Sequence, residues 1–196
     1  MGRLNFCCFA AWPLLKWEFE KQDMPQLTKF TPENTEKGKR ALRHALGRFA
    51  TGVTVISALG QDGEKVAITA NSFSSVSLDP ALVLWSIDNA SPNLDSFDVG
   101  KPFAVHILTK DQAEIARHCA RSSYDKFNFV EHTVNAAGVA LIRGADTVFE
   151  CRVVATHIAG DHTIIVGAVT QVSVTEGPIN DMLVFAGGQF ASLTET

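Results

Sequence analysis

FECRVVATHIAGDHTIIVGAVTQVSV, residues 149–174, decides the fold. Its two arms, 149–159 and 163–174, are rich in Val, Ile and Thr, and Gly160, Asp161 and His162 join them. Branched side chains pack well on a pleated surface, and a two-residue Gly-Asp connection suits a tight antiparallel turn. The stretch predicts one long hairpin. VTVISAL (53–59), QDG (61–63) and EKVAITA (64–70) repeat strand, turn and strand on a smaller scale. ALVLWSI (81–87) is a near-continuous apolar run, which predicts a strand covered on both faces. FAVHIL (103–108) and MLVFAG (182–187) add two more strands, the last ending the sheet.

Helical periodicity is sparse. Ala41, Leu42, Ala45, Leu46 and Phe49 recur at threes and fours, with Lys and Arg between them, so a helix is expected from Asn34 to about Phe49. PNLDSFDVG (92–100) and DQAEIARHC (111–119) predict two short helices, the second capped by Asp111. Six or seven mostly antiparallel strands with few helices imply a mainly β chain built as a closed or partly closed barrel. Residues 1–33 are expected to form a poorly structured N-terminal extension and residues 34–196 a single domain. Met24 is expected to be a natural start, with the preceding segment an upstream extension.

The composition narrows the function. Of 196 residues, 46% are apolar and 19% charged, and the net charge is -4. The densest basic cluster is Lys37, Lys39 and Arg40, which reads as a solvated helix face. Nucleic acid and anionic membranes are therefore not expected partners. No apolar run reaches the ~20 residues of a membrane span. Cys7, Cys8, Cys119 and Cys151 form no CxxC and read as reduced thiols of a cytoplasmic protein. The histidines show no metal-ligand spacing, and no G-x-S-x-G is present.

One short stretch carries unusual chemistry. TANSFSSVSLDP (69–80) sets five hydroxyls and an amide among Phe73, Val76 and Leu78. Short uncharged donors beside apolar groups suit a heteroatom-rich ring or a phosphate solvated without a cation. A Ser-rich strand with one solvent face is the competing reading. His162, at the end of a tight turn, can project over a cavity or lie on plain surface. Asn89, Ala90, Ser91 and Pro92 read as a helix start, with Ser91 as cap, and helix starts also bind anions.

Residues 40–193 resemble the flavin reductase family, the small reductase components of two-component flavin monooxygenases. The resemblance rests on RFATGVTVIS (48–57), ITANSFSSVSLDPALVLWSI (68–87), YDKFNFVEH (124–132), FECRVVATHIAGDHTIIVGAV (149–169) and LVFAGGQFASL (183–193), in that order. It implies an FMN-binding split β-barrel of Greek-key type that dimerises, with FMN or FAD near the dimer interface. It implies no Rossmann domain, and no G-x-G-x-x-G follows an expected strand. By resemblance, Thr69, Ala70, Asn71 and Ser72 lie along the isoalloxazine, and Ser75, Val76 and Ser77 serve its polar edge and tail. Asn89, Ser91 and Asn93 fall where the family binds flavin phosphate. That segment often carries a basic residue and here does not, so Lys126 or Lys101 is a candidate for the missing charge. His162 lies where the family holds the nicotinamide nucleotide.

The activity so implied is that of an NAD(P)H:flavin oxidoreductase, in which positioning is the protein's main task. NADH or NADPH is the co-substrate, and a separate monooxygenase receives the reduced flavin. Electron delivery to ferric iron or a corrinoid, and a non-catalytic flavin- or haem-binding module, remain alternatives. Bleaching of bound flavin by NADH separates the last of these from the reductases.

Overall fold

The computed structural model describes residues 26–121, 126–177 and 181–192. Expectations for Cys7, Cys8 and the rest of residues 1–25 lie outside the described residues, as do Tyr124, Asp125 and Leu193. Residues 26–33 contain neither helix nor strand. The elements that follow are α1 (Glu36–Leu46), β1 (Thr51–Gly52), β2 (Thr54–Leu59), β3 (Lys65–Ala70), β4 (Ser74–Leu78), β5 (Ala81–Asp88), β6 (Pro102–Ile107) and α2 (Ala113–Cys119). Then come β7 (His132–Val134), β8 (Ala140–Ile142), β9 (Thr147–Ala159), β10 (His162–Val174), β11 (Leu183–Ala186) and β12 (Gln189–Ser192). Short 3₁₀ turns occupy Leu94–Phe97, Lys110–Gln112 and Lys126–Asn128.

Seven strands form one antiparallel sheet in the order β3-β2-β6-β9-β10-β5-β4. The expected long hairpin is its centre: β9 and β10 pair from His162 with Ala159 to Val174 with Thr147. Gly160 turns the chain with a positive φ of 68°, a conformation glycine adopts without steric cost. The β2–β3 hairpin also forms, from Thr54 with Ala70 to Leu59 with Lys65.

The sheet curls around a barrel core that includes Ile56, Val83, Trp85, Phe97, Phe103, Val105, Val153 and Ile165. Gly167 sits against Phe103, where an added Cβ would fall 2.4 Å from the ring. A second core, including Val53, Val55, Ala67, Leu108, Ala116, Phe127 and Leu183, lies under α2 and β11. Fully burying such side chains contributes ~1.5–3 kcal/mol each. His106 shares this environment with no exposed surface. Its Nδ1–H donates to the Val55 carbonyl at 2.9 Å, and its Nε2 has no hydrogen-bond partner. Burial pushes its pKa down from 6.5 to about 4.

Three expectations need correction. The cap before α2 is Thr109: it forms a reciprocal capping box with Gln112, and a 3₁₀ turn precedes the helix. Asp111 falls inside that turn. The 182–187 strand does not end the sheet: β11 pairs with β1 and β12 in a separate three-stranded sheet. β5 is covered on one face only. Val83, Trp85 and Ile87 are buried, whereas Leu82, Leu84 and Ser86 on the other face are partly exposed. The helix α1 likewise buries nothing, although Thr35 caps it through a 3.0 Å bond from Gly38 N–H. Leu46 and Phe49 stand 65% and 77% exposed.

Candidate functional site

β3 and β4 are consecutive in sequence yet form the two edges of the seven-stranded sheet. Residues 71–73 cross the seam between them. β4 pairs with β5 only as far as Leu84. Beyond that point Ser72 completes the wall: its Oγ accepts from Ser86 N–H at 3.0 Å and donates to the Ser86 carbonyl at 3.4 Å. One hydroxyl thereby serves a stretch of strand backbone that the ladder leaves behind.

A cleft of about 310 Å³ opens at this seam. Ile68, Thr69, Ala70, Asn71 and Ser72 form one side, Ser86, Ile87, Asp88 and Ser91 another, and His162 the third. His162 faces Asp88 in the β10–β5 ladder, which brings residues about seventy positions apart to one rim. Its Nδ1–H donates to the Asp161 carboxylate at 2.8 Å, which leaves Nε2 as the ring's free polar atom. That hydrogen bond and the imidazole's charge hold the Asp161 carboxyl below its usual pKa. Asn89 fixes the hairpin tip. Its backbone N–H donates to Asp161 O at 3.0 Å, its Nδ2 to Gly160 O at 3.2 Å, and its Oδ1 accepts from Thr163 at 2.6 Å.

Of the residues singled out in the sequence, Thr69, Ala70, Asn71, Ser72, Ser91 and His162 meet in the cleft. Thr69 does so without its hydroxyl, which donates to Ala116 O at 2.7 Å on the opposite side of the strand. Ser75, Val76 and Ser77 lie on β4 outside the cleft lining. Asn93 and Asn89 are also outside it; Asn93 N–H donates to Ser91 Oγ at 3.3 Å, and a 3₁₀ turn follows where a helix was expected.

Lys126 is not brought to the cleft. It is buried, and its ammonium donates to Ala67 O at 2.6 Å and Cys119 O at 2.8 Å. Burial lowers its pKa. Lys101 is engaged by Asp98 at 3.3 Å and by Asp95 O. Among the described residues, no Lys or Arg lines the cleft. Ile68, Ser86, Ile87 and Asp88 escaped the sequence reading, because the strand's apolar run hid its polar end.

The lining offers hydroxyls, an amide, the Asp88 carboxylate, edge-strand backbone and apolar walls, groups suited to a heteroatom-rich ring. A mainly antiparallel β fold with a seven-stranded sheet open at such a seam defines the class of protein, a β-sheet scaffold with a cleft at its open edge. Residues 46–194 match the model of the flavin reductase like domain, and the chain belongs to that family. It is 42% identical over 167 residues to an FMN reductase (NADH), SmoA, of Agrobacterium fabrum, covering 85% of this chain and 92% of that one. It is 29% identical over 154 residues to the reductase subunit HsaB of a flavin-dependent monooxygenase of Mycobacterium tuberculosis, covering 79% and 82%. The crystal structure of SgcE6, an NADH:FAD oxidoreductase of Streptomyces globisporus, superposes with a TM-score of 0.77 at 33% identity, covering 88% of this chain and 95% of that one. These structural neighbours confirm the mainly β, split-barrel reading.

Proposed function

We propose that the seam cleft is where this reductase holds the isoalloxazine of a flavin, with a reduced nicotinamide laid against it. The observation that carries the reading is the meeting of residues 68–72 with His162 across one cleft. The protein is an NAD(P)H-dependent flavin reductase. When bound, the flavin supplies the chemistry, accepting a hydride from the nicotinamide.

The chain's own residues bind and orient. Backbone of 68–71 and the side chain of Asn71 present donors and acceptors along one rim. Ser72 keeps the opposite wall in register through Ser86. Asp161 fixes the His162 tautomer, so that Nε2 is available to the co-substrate. NADH is the favoured co-substrate, as in the relatives named FMN reductase (NADH) and NADH-dependent flavin reductase.

The cleft is at the small end of ligand sites, large enough for a ring but not for two nucleotides. The remainder of both molecules must lie on other surfaces. A homodimer supplies them. The bare stripe of α1 and the half-exposed outer face of β5 are apolar areas that a second copy would cover. The same openness suits release of reduced flavin to a separate monooxygenase.

Anaerobic mixing with FMN or FAD and then NADH tests the reading: loss of the oxidised flavin's visible band supports it, and a persistent band refutes it. His162→Ala is expected to raise KM for NADH about 3- to 10-fold, the equivalent of one hydrogen bond, with kcat less affected. Unchanged KM would remove His162 from the site.

A further inference from the structure

We propose that Lys126 is a positioning residue for the flavin cleft, acting through strand β3 from the side the flavin does not touch; this rests on the cleft being the flavin site. β3 is an edge strand, so nothing but side chains and the helix behind it fixes its free margin. The Lys126 ammonium takes Ala67 O at 2.6 Å, the residue immediately before the cleft-lining run 68–72. The same ammonium takes Cys119 O, at the end of α2, at 2.8 Å. A second tie lies one turn back in that helix and two residues on in the strand, where Thr69 Oγ donates to Ala116 O at 2.7 Å. Lys126 is held in turn by His118, whose Nε2–H donates to the Lys126 carbonyl at 3.1 Å.

The arrangement is a double clamp. The last carbonyls of a helix have no intrahelical donors and carry its negative end. The ammonium supplies a donor to Cys119 O, the Thr69 hydroxyl adds a second bond to Ala116 O, which also accepts Ala120 N–H, and both deliver the bond together with β3. Charge-assisted bonds of a buried group are the strong kind, and losing the ammonium removes the bonds to both the Ala67 and the Cys119 carbonyls. The flavin rim is therefore set by contacts behind it. A margin that drifts by a fraction of an ångström would loosen flavin while leaving the bound geometry, once formed, competent.

The test is direct flavin binding, by fluorescence titration of FMN without NADH, on Lys126→Met, Lys126→Arg and Thr69→Val. The Met variant keeps the stem and removes both bonds; Arg can restore two donors. The expected result is a flavin Kd raised about tenfold or more in Lys126→Met, and a KM for flavin raised in parallel with kcat within about twofold. Lys126→Arg is expected to recover most of the affinity. A folded Lys126→Met with wild-type Kd overturns the proposal, and so does an Arg variant as weak as Met, which would indicate generic packing. Should the Met variant not fold, Thr69→Val reads the other tie: a raised Kd supports the proposal and an unchanged one overturns it. Wild-type protein that binds flavin yet never oxidises NADH would sink the reductase reading and leave this comparison intact. Wild-type protein that binds no flavin overturns both.

Discussion

Acidification is expected to unfold this protein through one histidine in the second core. Folded His106 has a pKa of about 4, against 6.5 for a free imidazole. The unfolded chain therefore takes up a proton that the folded chain refuses, and stability falls as pH drops below 6.5 until the folded pKa is reached. The sign follows from the physical cause, since charging an imidazole with no exposed surface and an unpartnered Nε2 is opposed by burial. Linkage gives a loss of ~2 kcal/mol between about pH 7.5 and about pH 5, approaching ~3 kcal/mol near pH 4. With a urea slope of ~2 kcal/mol per M, the unfolding midpoint is expected to fall by ~1 M over the first interval. Urea titrations of wild type and His106→Leu at the two pH values read this directly. Leucine cannot titrate, so the variant's midpoint should be much flatter. A wild-type midpoint that does not move, or a His106→Leu midpoint that falls as far, would refute the reasoning.

Two further outcomes follow from the same structure. Gly167→Ala places a methyl 2.4 Å from the Phe103 ring, which is wedged against Phe97 and through it Trp85. A cost of ~1–3 kcal/mol is expected, lowering Tm by ~3–10 °C and altering the near-UV signal of Trp85; calorimetry showing an unchanged Tm would contradict it. Asn89→Ala removes the two side-chain bonds at the hairpin tip and frees His162 to wander. KM for NADH is expected to rise several-fold with a stability loss of ~1–2 kcal/mol, and stopped-flow kinetics with wild-type KM would show the tip holds itself.

The sequence made the hairpins plain because their signals are local. Branched residues in two runs around Gly160, and again around Gly63, specify pairing without help from distant parts. Ser72 and His162 were readable as site residues through the family pattern, and the cleft brings them together. Lys126 was read as a candidate for the missing phosphate charge, but it is buried on Ala67 O and Cys119 O, since a lysine's burial depends on which carbonyls the tertiary fold leaves short of donors. Asp88 and Ser86 were hidden for the opposite reason: they end an apolar run, and their exposure depends on β4 stopping at Leu84. Asn89 resembled a phosphate ligand by position, yet its amide is spent on Gly160 and Thr163, contacts some seventy residues away. The half-bare face of β5 was unreadable too, because an apolar run does not say which of its faces a single copy covers.

The cleft draws its rim from residues 68–72, 86–88, 91 and 162. No half of the chain contains it. A ribosome that has released only the first hundred residues has emitted the β3 and β5 sides of the cleft, yet the imidazole that completes the rim is still unmade. Pairing across such sequence separations is slow relative to local helix formation. Partly folded chains therefore lack the His162 side of the rim, and the cleft stays incomplete until β10 docks on β5. Flavin retention would thus report completed folding, and a nascent chain would acquire its colour late.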